Sequence, residues 1–349
     1  MTDTLAPVIR PASARRLSAL LVGVACIVSI VVVGGLSSGC VAEAETMLSI
    51  GLNSWPGYEF LYLADELEIY QELGLQVRIV EFDSLGDVRR AFERGQIDVM
   101  GCTLVELLQA RTGSPRDPTA VFVTDYSNGG DVILARDTFH TVPDLAGRRI
   151  GVELGSLNVY VLARALENHG LAFSDVELVP LTQLQMPRAI AAGDVEAVVT
   201  YPPFLLEMEH AGGVQRIFSS REIPGEVLDV IAIDQSLLAD RTEEIECLLR
   251  GVTRAIAAYR DRPAECIEIM ARREGITVDE FARTLEQDIQ LVGPTEQLEF
   301  LDPGGKVDHA IRAVDRVLRS VEQIRGPSRV DRCSDSRALK SALERELAR

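Results

Sequence analysis

From residue 47 onward, short runs of apolar and β-branched residues alternate with segments of helical periodicity. The run MLSIGL at 47–52 precedes a helical pattern over 58–74, which ends at a glycine. The run LQVRIVEF at 75–82 alternates in period two, and SLGDVRRAFERG at 84–95 follows it with the spacing of a capped helix. This repeated order of strand, short turn and helix predicts a mostly parallel sheet with helices on both faces.

A second round of the same pattern begins near residue 145. RRIGVEL leads to the helical pattern LNVYVLARALENHG, and VEAVVTY leads to another helix. The sequence therefore predicts two α/β lobes of similar plan, joined by two extended hinge crossings within 118–136 and 226–234. The predicted organisation is a signal over 1–40, the first part of lobe 1 over 41–130, lobe 2 over 131–230, the return of lobe 1 with C-terminal helices over 231–325, and a charged, solvated helical tail over 326–349.

The first forty residues differ from the rest of the chain. Arg15 and Arg16 precede the uncharged segment LSALLVGVACIVSIVVVGGLSSGC, which ends at Cys40. This order resembles a bacterial lipoprotein signal, in which the cysteine is lipidated and becomes the mature N-terminus. The alternative is an uncleaved single-span anchor, because residues 17–36 are long enough to cross a bilayer. In both cases the arginines favour an extracytoplasmic location on the cell membrane for residues 41–349.

Composition narrows the class of protein. The 349 residues are 47% hydrophobic and 25% charged, which is typical of a globular protein and not of a disordered or multi-span membrane protein. The net charge of −18 argues against nucleic acid as a partner, because an acidic surface repels phosphate backbones.

The cysteines after the signal, Cys102, Cys247, Cys266 and Cys333, do not have the spacing of metal ligands. Cys247 and Cys266 lie on successive predicted helices and either form a disulfide or remain free thiols. We expect no metal site and no cofactor.

The candidate site lies in the loops after the strands, because ligands of open α/β sheets bind beyond the carboxyl ends of the strands. In a chain with one Trp and seven Tyr, these loops hold Trp55, Tyr58, Tyr126 and Tyr201. We expect the rigid indole of Trp55 to form a wall of the cleft and to stack on a planar or cationic solute. The alternative is that this ring packs as core at the end of its sheet, and the same two interpretations apply to Tyr201.

The same loops hold a second set of candidate residues: Thr103, Asp125, Gly155, Ser156 and Asn158. Thr103 either offers its hydroxyl to a ligand or only forms a capping box with Glu106. Gly155 and Ser156 open a helix whose first N–H groups either bind an anion or carbonyl oxygen or are capped by Ser156 alone. Asp125 either binds a ligand amine or caps the turn DYSNGG.

Several of these segments resemble a known family. The motif W-x-G-Y at 55–58, then YLADELEIYQELGLQV and ERGQIDVMGC, resemble the opening lobe of ABC-transporter substrate-binding proteins of the nitrate, sulfonate and taurine class. VPDLAGRRIGVELGS and GDVEAVVTYPPF resemble the second-lobe segments, so the resemblance spans roughly residues 47–235. The class shares its fold with thiamine-pyrimidine-precursor proteins.

The resemblance implies a type II periplasmic-binding fold in which hinge closure traps the solute and the closed form docks on an ABC permease in the membrane. It also implies cleft positions, which are Trp55, Tyr58, Thr103, Asp125, Ser156 and Tyr201. The expected protein is therefore a monomeric solute receptor that performs no chemistry.

Two other classes share the fold. An enzyme related to pyrimidine-precursor synthases would use histidine and a lysine-bound pyridoxal cofactor, but Lys306 and Lys340 are far in sequence from every cleft loop, and no G-x-S-x-G, H-E-x-x-H or phosphate-loop motif is present. A sensory lipoprotein that signals to another membrane protein is the third class.

Charge favours one kind of solute. The cleft loops contain no Arg or Lys, whereas Glu59, Asp125 and Glu153 lie in or beside them. Carboxylates oppose an anion, so we expect a neutral, cationic or heterocyclic nitrogen-containing solute; a sulfonate or nitrate is the alternative.

Overall fold

Two β-sheets flanked by helices form the part of the chain that the computed structural model describes, residues 47–348. The strands are β1 (Leu48–Asn53), β2 (Val77–Phe82), β3 (Val99–Thr103), β4 (Pro118–Ser127), β5 (Val132–Arg136), β6 (Arg149–Val152), β7 (Glu177–Pro180), β8 (Ala197–Thr200), β9 (Val214–Ser219), β10 (Leu228–Asp234) and β11 (Ile289–Leu291). The helices are α1 (Glu59–Glu66), α2 (Ile69–Glu72), α3 (Leu85–Glu93), α4 (Leu104–Gly113), α5 (Leu157–Asn168), α6 (Met186–Ala192), α7 (Phe204–Ala211), α8 (Gln235–Asp240), α9 (Thr242–Asp261), α10 (Pro263–Glu274), α11 (Val278–Gln287), α12 (Gln297–Leu301), α13 (Lys306–Ser320) and α14 (Arg337–Leu347).

Each sheet has a parallel half and an antiparallel half. Sheet 1 has the strand order β11-β4-β10-β3-β1-β2, in which β1 runs parallel to β2 and β3, while β10 runs antiparallel to β3 and β4. Sheet 2 has the order β7-β6-β8-β5-β9, in which β6 runs parallel to β7 and β8, while β5 runs antiparallel to β8 and β9. The two-lobed α/β fold is as predicted, but the sheets are mixed and not mostly parallel.

The antiparallel strands arise from the two crossings between the lobes. The chain leaves sheet 1 after β4 and enters sheet 2 at β5, so residues 128–131 form the first crossing. It leaves sheet 2 after β9 and returns through residues 220–227 to β10, which pairs with β3 and β4. We refer below to residues 47–127 and 228–348 as lobe 1 and to residues 132–219 as lobe 2.

The N-terminal predictions lie outside the described residues. The signal over 1–40 and the lipidation of Cys40 therefore stay predictions. Within residues 47–348, no helix combines the length and the hydropathy that a membrane span requires. The four cysteines of this part are free thiols, so Cys247 and Cys266 are not bridged.

The C-terminal segment is packed and not a solvated tail. Ala338, Leu339 and Ala342 form a buried stripe on α14, which lies against α9. Glu346 of the same helix forms ion pairs with Arg250 at 2.6 Å and Arg254 at 2.8 Å on α9. The high density of charged residues suggested solvation, whereas the spacing of these three apolar residues places them on one helical face.

We predict that Leu339→Ala lowers the free energy of unfolding by about 2–4 kcal/mol, because it removes a fully buried side chain and leaves a cavity. The measurement is urea denaturation of residues 41–349. The control is Leu347→Ala on the same helix, where the leucine is 87% exposed and its loss should leave stability unchanged. Equal effects of the two substitutions would contradict the packing of α14.

Candidate functional site

An aromatic contact joins the two lobes. Trp55, which follows β1 of lobe 1, meets Tyr201, which follows β8 of lobe 2, with ring centroids 6.1 Å apart in an edge-to-face arrangement. Asn53 of lobe 1 also donates a hydrogen bond from Nδ2 to the Tyr201 hydroxyl at 3.4 Å. The indole of Trp55 therefore faces the space between the lobes.

A small cavity lies at this contact. Its volume is about 10 Å³ for the centre of a water-sized sphere, which is room for about one water molecule. Lobe 1, the first crossing and lobe 2 all contribute to its lining, which consists of Asn53, Trp55, Tyr58, Leu85, Thr103, Asp131, Leu157, Tyr201 and Asp229. A solute larger than water therefore requires the lobes to separate or the side chains to move.

Two aspartates line the cavity. Asp229 at the start of β10 accepts a hydrogen bond from the Tyr58 hydroxyl at 2.6 Å. Burial, together with the charge of Asp125, holds the pKa of Asp229 well above its usual range. Asp131 belongs to the first crossing, and its Oδ2 atom is buried without a hydrogen-bond partner. Burial raises the pKa of Asp131 to about 7.

Asp125 holds Trp55 in place from behind the cavity. The indole Nε1 donates to both carboxylate oxygens, at 3.2 Å and 3.3 Å, and the Thr124 hydroxyl donates to Oδ2 at 2.9 Å. Burial raises the pKa of Asp125 to about 7, and these two donors oppose the shift. The carboxylate packs so closely that a Cβ on Gly57 would lie 1.7 Å from Oδ2, so only glycine fits at that position. Asp125 is not part of the cavity lining, and its contact with a ligand stays a prediction.

Of the three residues predicted at the start of α5, Ser156 caps the helix. Ser156 accepts from the backbone N–H of Asn158 at 3.3 Å and donates to the Glu153 carbonyl at 2.9 Å. Asn158 accepts from Gln183 Nε2 at 2.7 Å, and Gly155 adopts a φ of +74° at the turn before the helix. None of the three lines the cavity, although their neighbour Leu157 does.

Tyr126 faces away from the cavity. It stacks on Phe300 with ring centroids 6.5 Å apart, because successive residues of a strand point to opposite faces and Asp125 points inward. Tyr126 is therefore not among the residues that the structure brings to the cavity, and its role as a site residue stays a prediction. Thr103 does line the cavity, but its hydroxyl donates to Glu106 at 2.5 Å in the predicted capping box.

Asp131 and Asp229 are not among the residues predicted from the sequence. Both lie at the amino ends of antiparallel strands, and these ends meet the carboxyl ends of the parallel strands: Asp229 is opposite Thr103, and Val132, which follows Asp131, is opposite Thr200. Reading only the loops after strands leaves such positions out. The available signal was a single aspartate inside the apolar run VLDVIAI.

Carboxylates dominate the electrostatics around the cavity. Five are buried: Glu106, Asp125, Asp131, Glu153 and Asp229. Burial raises the pKa of each, to about 7 for Glu153. The lining contains no Arg or Lys. Arg89 reaches the edge of the cleft beside Gly155, where it forms an ion pair with Glu93.

The lysines that a pyridoxal cofactor would need lie elsewhere. Lys306 pairs with Glu299 at 3.2 Å and Lys340 pairs with Asp302 at 2.7 Å, and neither lines the cavity. In residues 47–348, no group of three His, Cys, Asp or Glu side chains has the arrangement of a metal site.

Residues 55–266 match the family model described as NMT1/THI5 like. Over 265 residues the chain is 25% identical to the taurine-binding periplasmic protein of Escherichia coli K12, which covers 68% of this chain and 80% of the relative.

Solved structures share the fold at low sequence identity. The alkanesulfonate-binding protein SsuA from Xanthomonas axonopodis pv. citri, bound to MOPS, has a TM-score of 0.71 at 19% identity, covering 83% of this chain and 98% of SsuA. The desulfurization enzyme DSZB has a TM-score of 0.64 at 16% identity, covering 86% of this chain and 99% of the enzyme. At these identities the likeness concerns the fold alone.

We predict that Asp131→Asn stabilises the unliganded protein by about 1–3 kcal/mol at pH 8, because the buried carboxylate is ionised there while its Oδ2 atom has no hydrogen-bond partner. The pKa of Asp131 is higher in the folded protein than in the unfolded chain, so the folded protein binds this proton more tightly. The free energy of unfolding therefore falls as the pH rises from the usual pKa of an aspartate toward about 7. The advantage of the variant should therefore shrink below pH 5.

The measurement is urea denaturation at pH 4.5 and pH 8. Asp137→Asn, at an exposed position six residues away, is the matched control and should show no difference at either pH. A variant less stable than the unmodified protein at pH 8 would contradict the assignment of Asp131 as an uncompensated buried acid.

Proposed function

Because the chain belongs to the NMT1/THI5-like family, we propose that it is the solute-binding protein of an ABC importer and that it encloses a cationic, nitrogen-containing solute between its lobes. Hinge closure around the solute would remove water from the polar contacts and shift the population toward the closed form. The closed form would then deliver the solute to a membrane permease.

One observation supports the cationic class above the others. Asp131 Oδ2 is buried without a hydrogen-bond partner, and it belongs to a cavity whose second acid is Asp229 and whose lining has no basic residue. An unpaired buried carboxylate costs free energy, and an ammonium group between the two aspartates would offset that cost with charge-assisted hydrogen bonds.

The aromatic lining fits the same solute. Trp55, Tyr58 and Tyr201 contribute three rings to one small cavity. The faces of these rings attract a cation through their quadrupole, and an aromatic cage with carboxylates is a suitable site for amines and quaternary ammonium groups. Aminated heterocycles, which can stack on the same rings, belong to the same class of candidates.

The chain is a binding protein, as predicted, and not an enzyme, in line with the taurine-binding relative reported above. The likeness to DSZB, at 16% identity, is one of fold.

The second candidate is a sulfonate or nitrate-type anion. It is favoured by the taurine-binding relative and by Arg89 at the cleft edge, which could turn toward an anion if Glu93 released it. Against it stand the buried acids, which an anion would approach without a counter-charge in the lining.

Membrane attachment completes the proposal. Lipidation of Cys40 would tether the protein on the extracytoplasmic side, with the uncleaved anchor as the alternative, and a monomer would suffice for delivery to the permease. Mass spectrometry of the N-terminus of the mature protein distinguishes the two forms of attachment.

The charge of the solute is tested with three ligands that share a two-carbon chain: ethylamine, taurine and ethanesulfonate. We predict by isothermal titration calorimetry that the amine binds and that the sulfonate does not, with further amines, aminopyrimidines and flavins tested afterwards. Asp131→Asn should weaken amine binding at least tenfold, equivalent to about 1.4 kcal/mol, whereas Asp137→Asn should not. Tight binding of ethanesulfonate by the unmodified protein would establish the second candidate instead.

The affinity should also depend on pH. Tetramethylammonium is charged at every pH, so any change in its affinity reports the protein alone. With Asp131 titrating near pH 7, its ionised fraction rises about tenfold from pH 6 to pH 8, and the affinity should rise by at least that factor, because Asp125 and Glu153 ionise over the same range. Calorimetry in buffers of different ionisation enthalpy would detect the accompanying proton release at pH 6. A flat or falling affinity would contradict recognition by this carboxylate.

A further inference from the structure

Two buried carboxylates reach across the cleft to a helix of the opposite lobe. Glu106 on α4 of lobe 1 accepts a hydrogen bond at 2.7 Å from the backbone N–H of Leu157, the first residue of α5 in lobe 2. Glu153 of lobe 2 accepts one at 3.3 Å from the backbone N–H of Gly86, near the start of α3 in lobe 1. Each lobe thus supplies one acid and one helix start.

A helix start is a natural place for an anion. Its first N–H groups have no partner within the helix, and the helix dipole adds a partial positive charge there. In this protein the starts of α5 and α3, which face the cleft, are already occupied by the carboxylates of Glu106 and Glu153. An external oxyanion would have to displace Glu106 or Glu153 to reach the same N–H groups.

We propose that Glu106 and Glu153 are specificity-determining residues, which occupy the starts of α5 and α3 as internal anions and thereby make the closed cleft reject sulfate, sulfonates and other oxyanions. The proposal deepens the proposed function, because it rests on closure of the same two lobes and explains how a member of this family would exclude anions.

A purely local capping role does not account for Glu106. Its Oε2 already completes the capping box of its own helix, accepting from the Thr103 hydroxyl at 2.5 Å and the Thr103 N–H at 3.1 Å. The start of α5 likewise has its own cap in Ser156. The bond from Leu157 to Oε1 is therefore additional to both caps, and it exists only when the lobes are together.

Burial gives this arrangement its selectivity. Glu106 is fully buried and Glu153 is 7% exposed. When either group is ionised, a second anion beside it would meet a like charge in a medium of low dielectric, where repulsion is much stronger than in water. In either protonation state, the carboxyl oxygen occupies the N–H group that the second anion would need. A cation would instead gain from the same charges.

The test is Glu106→Ala, which frees the N–H of Leu157 and removes the internal anion. We expect titration with sodium sulfate or ethanesulfonate to show saturable binding to the variant, at least tenfold tighter than to the unmodified protein. Trp55 is the single tryptophan of the chain and lies between the lobes, so its emission reports closure. The emission of the variant should shift to the red and return when formate or acetate refills the position of the lost carboxylate.

Asp144→Asn is the matched control. Asp144 is also a carboxylate at a helix start, accepting from the N–H groups of His140 and Thr141 at 2.9 Å, but all three residues belong to lobe 2. This substitution should change neither the Trp55 emission nor the affinity for oxyanions. If circular dichroism shows that Glu106→Ala does not fold, Glu106→Gln and Glu153→Gln replace it, since each keeps the side-chain volume and removes the charge.

The outcomes separate this inference from the proposed function. Oxyanion binding gained by the variants would support the specificity role even if the unmodified protein bound no amine, in which case only the cationic solute class would be wrong. Amine binding by the unmodified protein, with oxyanion affinity equal in all variants, would overturn the specificity role and leave the proposed function intact.

Discussion

The burial of acidic side chains between the lobes is the constraint on which the rest of this structure depends. A carboxylate removed from water is costly unless hydrogen bonds or opposite charges replace its hydration. Around the cavity, hydrogen bonds stabilise Glu106, Asp125 and Asp229, while Asp131 keeps one oxygen without a partner. The arrangement of the two lobes is therefore stabilised by specific hydrogen-bond donors from both lobes. The carboxylate oxygen without a donor, on Asp131, leaves negative charge in the cavity that no group within residues 47–348 compensates.

The uncompensated negative charge of the cavity bears on which solute the protein can bind. An alkanesulfonate-binding protein and a desulfurization enzyme share this fold, so the fold alone does not determine what is bound. Selectivity resides in the side chains at the strand ends. Here Asp131 and Asp229 line the cavity, and Glu106 and Glu153 occupy the starts of two helices. Neither the cavity lining nor the helix starts therefore favour the binding of an anion. A protein that binds a sulfonate with the same backbone would need neutral or basic groups at these positions.

Sequence reasoning identified the alternation of strands and helices and the two lobes, because these follow from local periodicity. The rule about strand ends predicted the aromatic residues of the cleft, whose contact with a solute stays a prediction. The structure brings Trp55, Tyr58, Thr103 and Tyr201 to one cavity. Asp131 and Asp229 could not be predicted in the same way, because an antiparallel strand brings its amino end to the edge of the sheet where parallel strands bring their carboxyl ends. Strand direction depends on long-range pairing, which periodicity does not report. The bond from Leu157 to Glu106 joins residues 51 positions apart in different lobes, and no local pattern predicts it.

The arrangement of Asp125 shows why stability and recognition are coupled at this site. Its carboxylate holds the indole of Trp55 through both oxygens, and it excludes any side chain larger than hydrogen at position 57. Burial raises the pKa of Asp229, and the nearby carboxylate of Asp125 raises it further. Fixing the aromatic wall and increasing the proton affinity of the cavity are therefore effects of one buried charge. In the proposed function, a cation entering the cavity would interact favourably with that charge as well as with the two lining aspartates, so the group that orients the wall would also contribute to the selection of the solute.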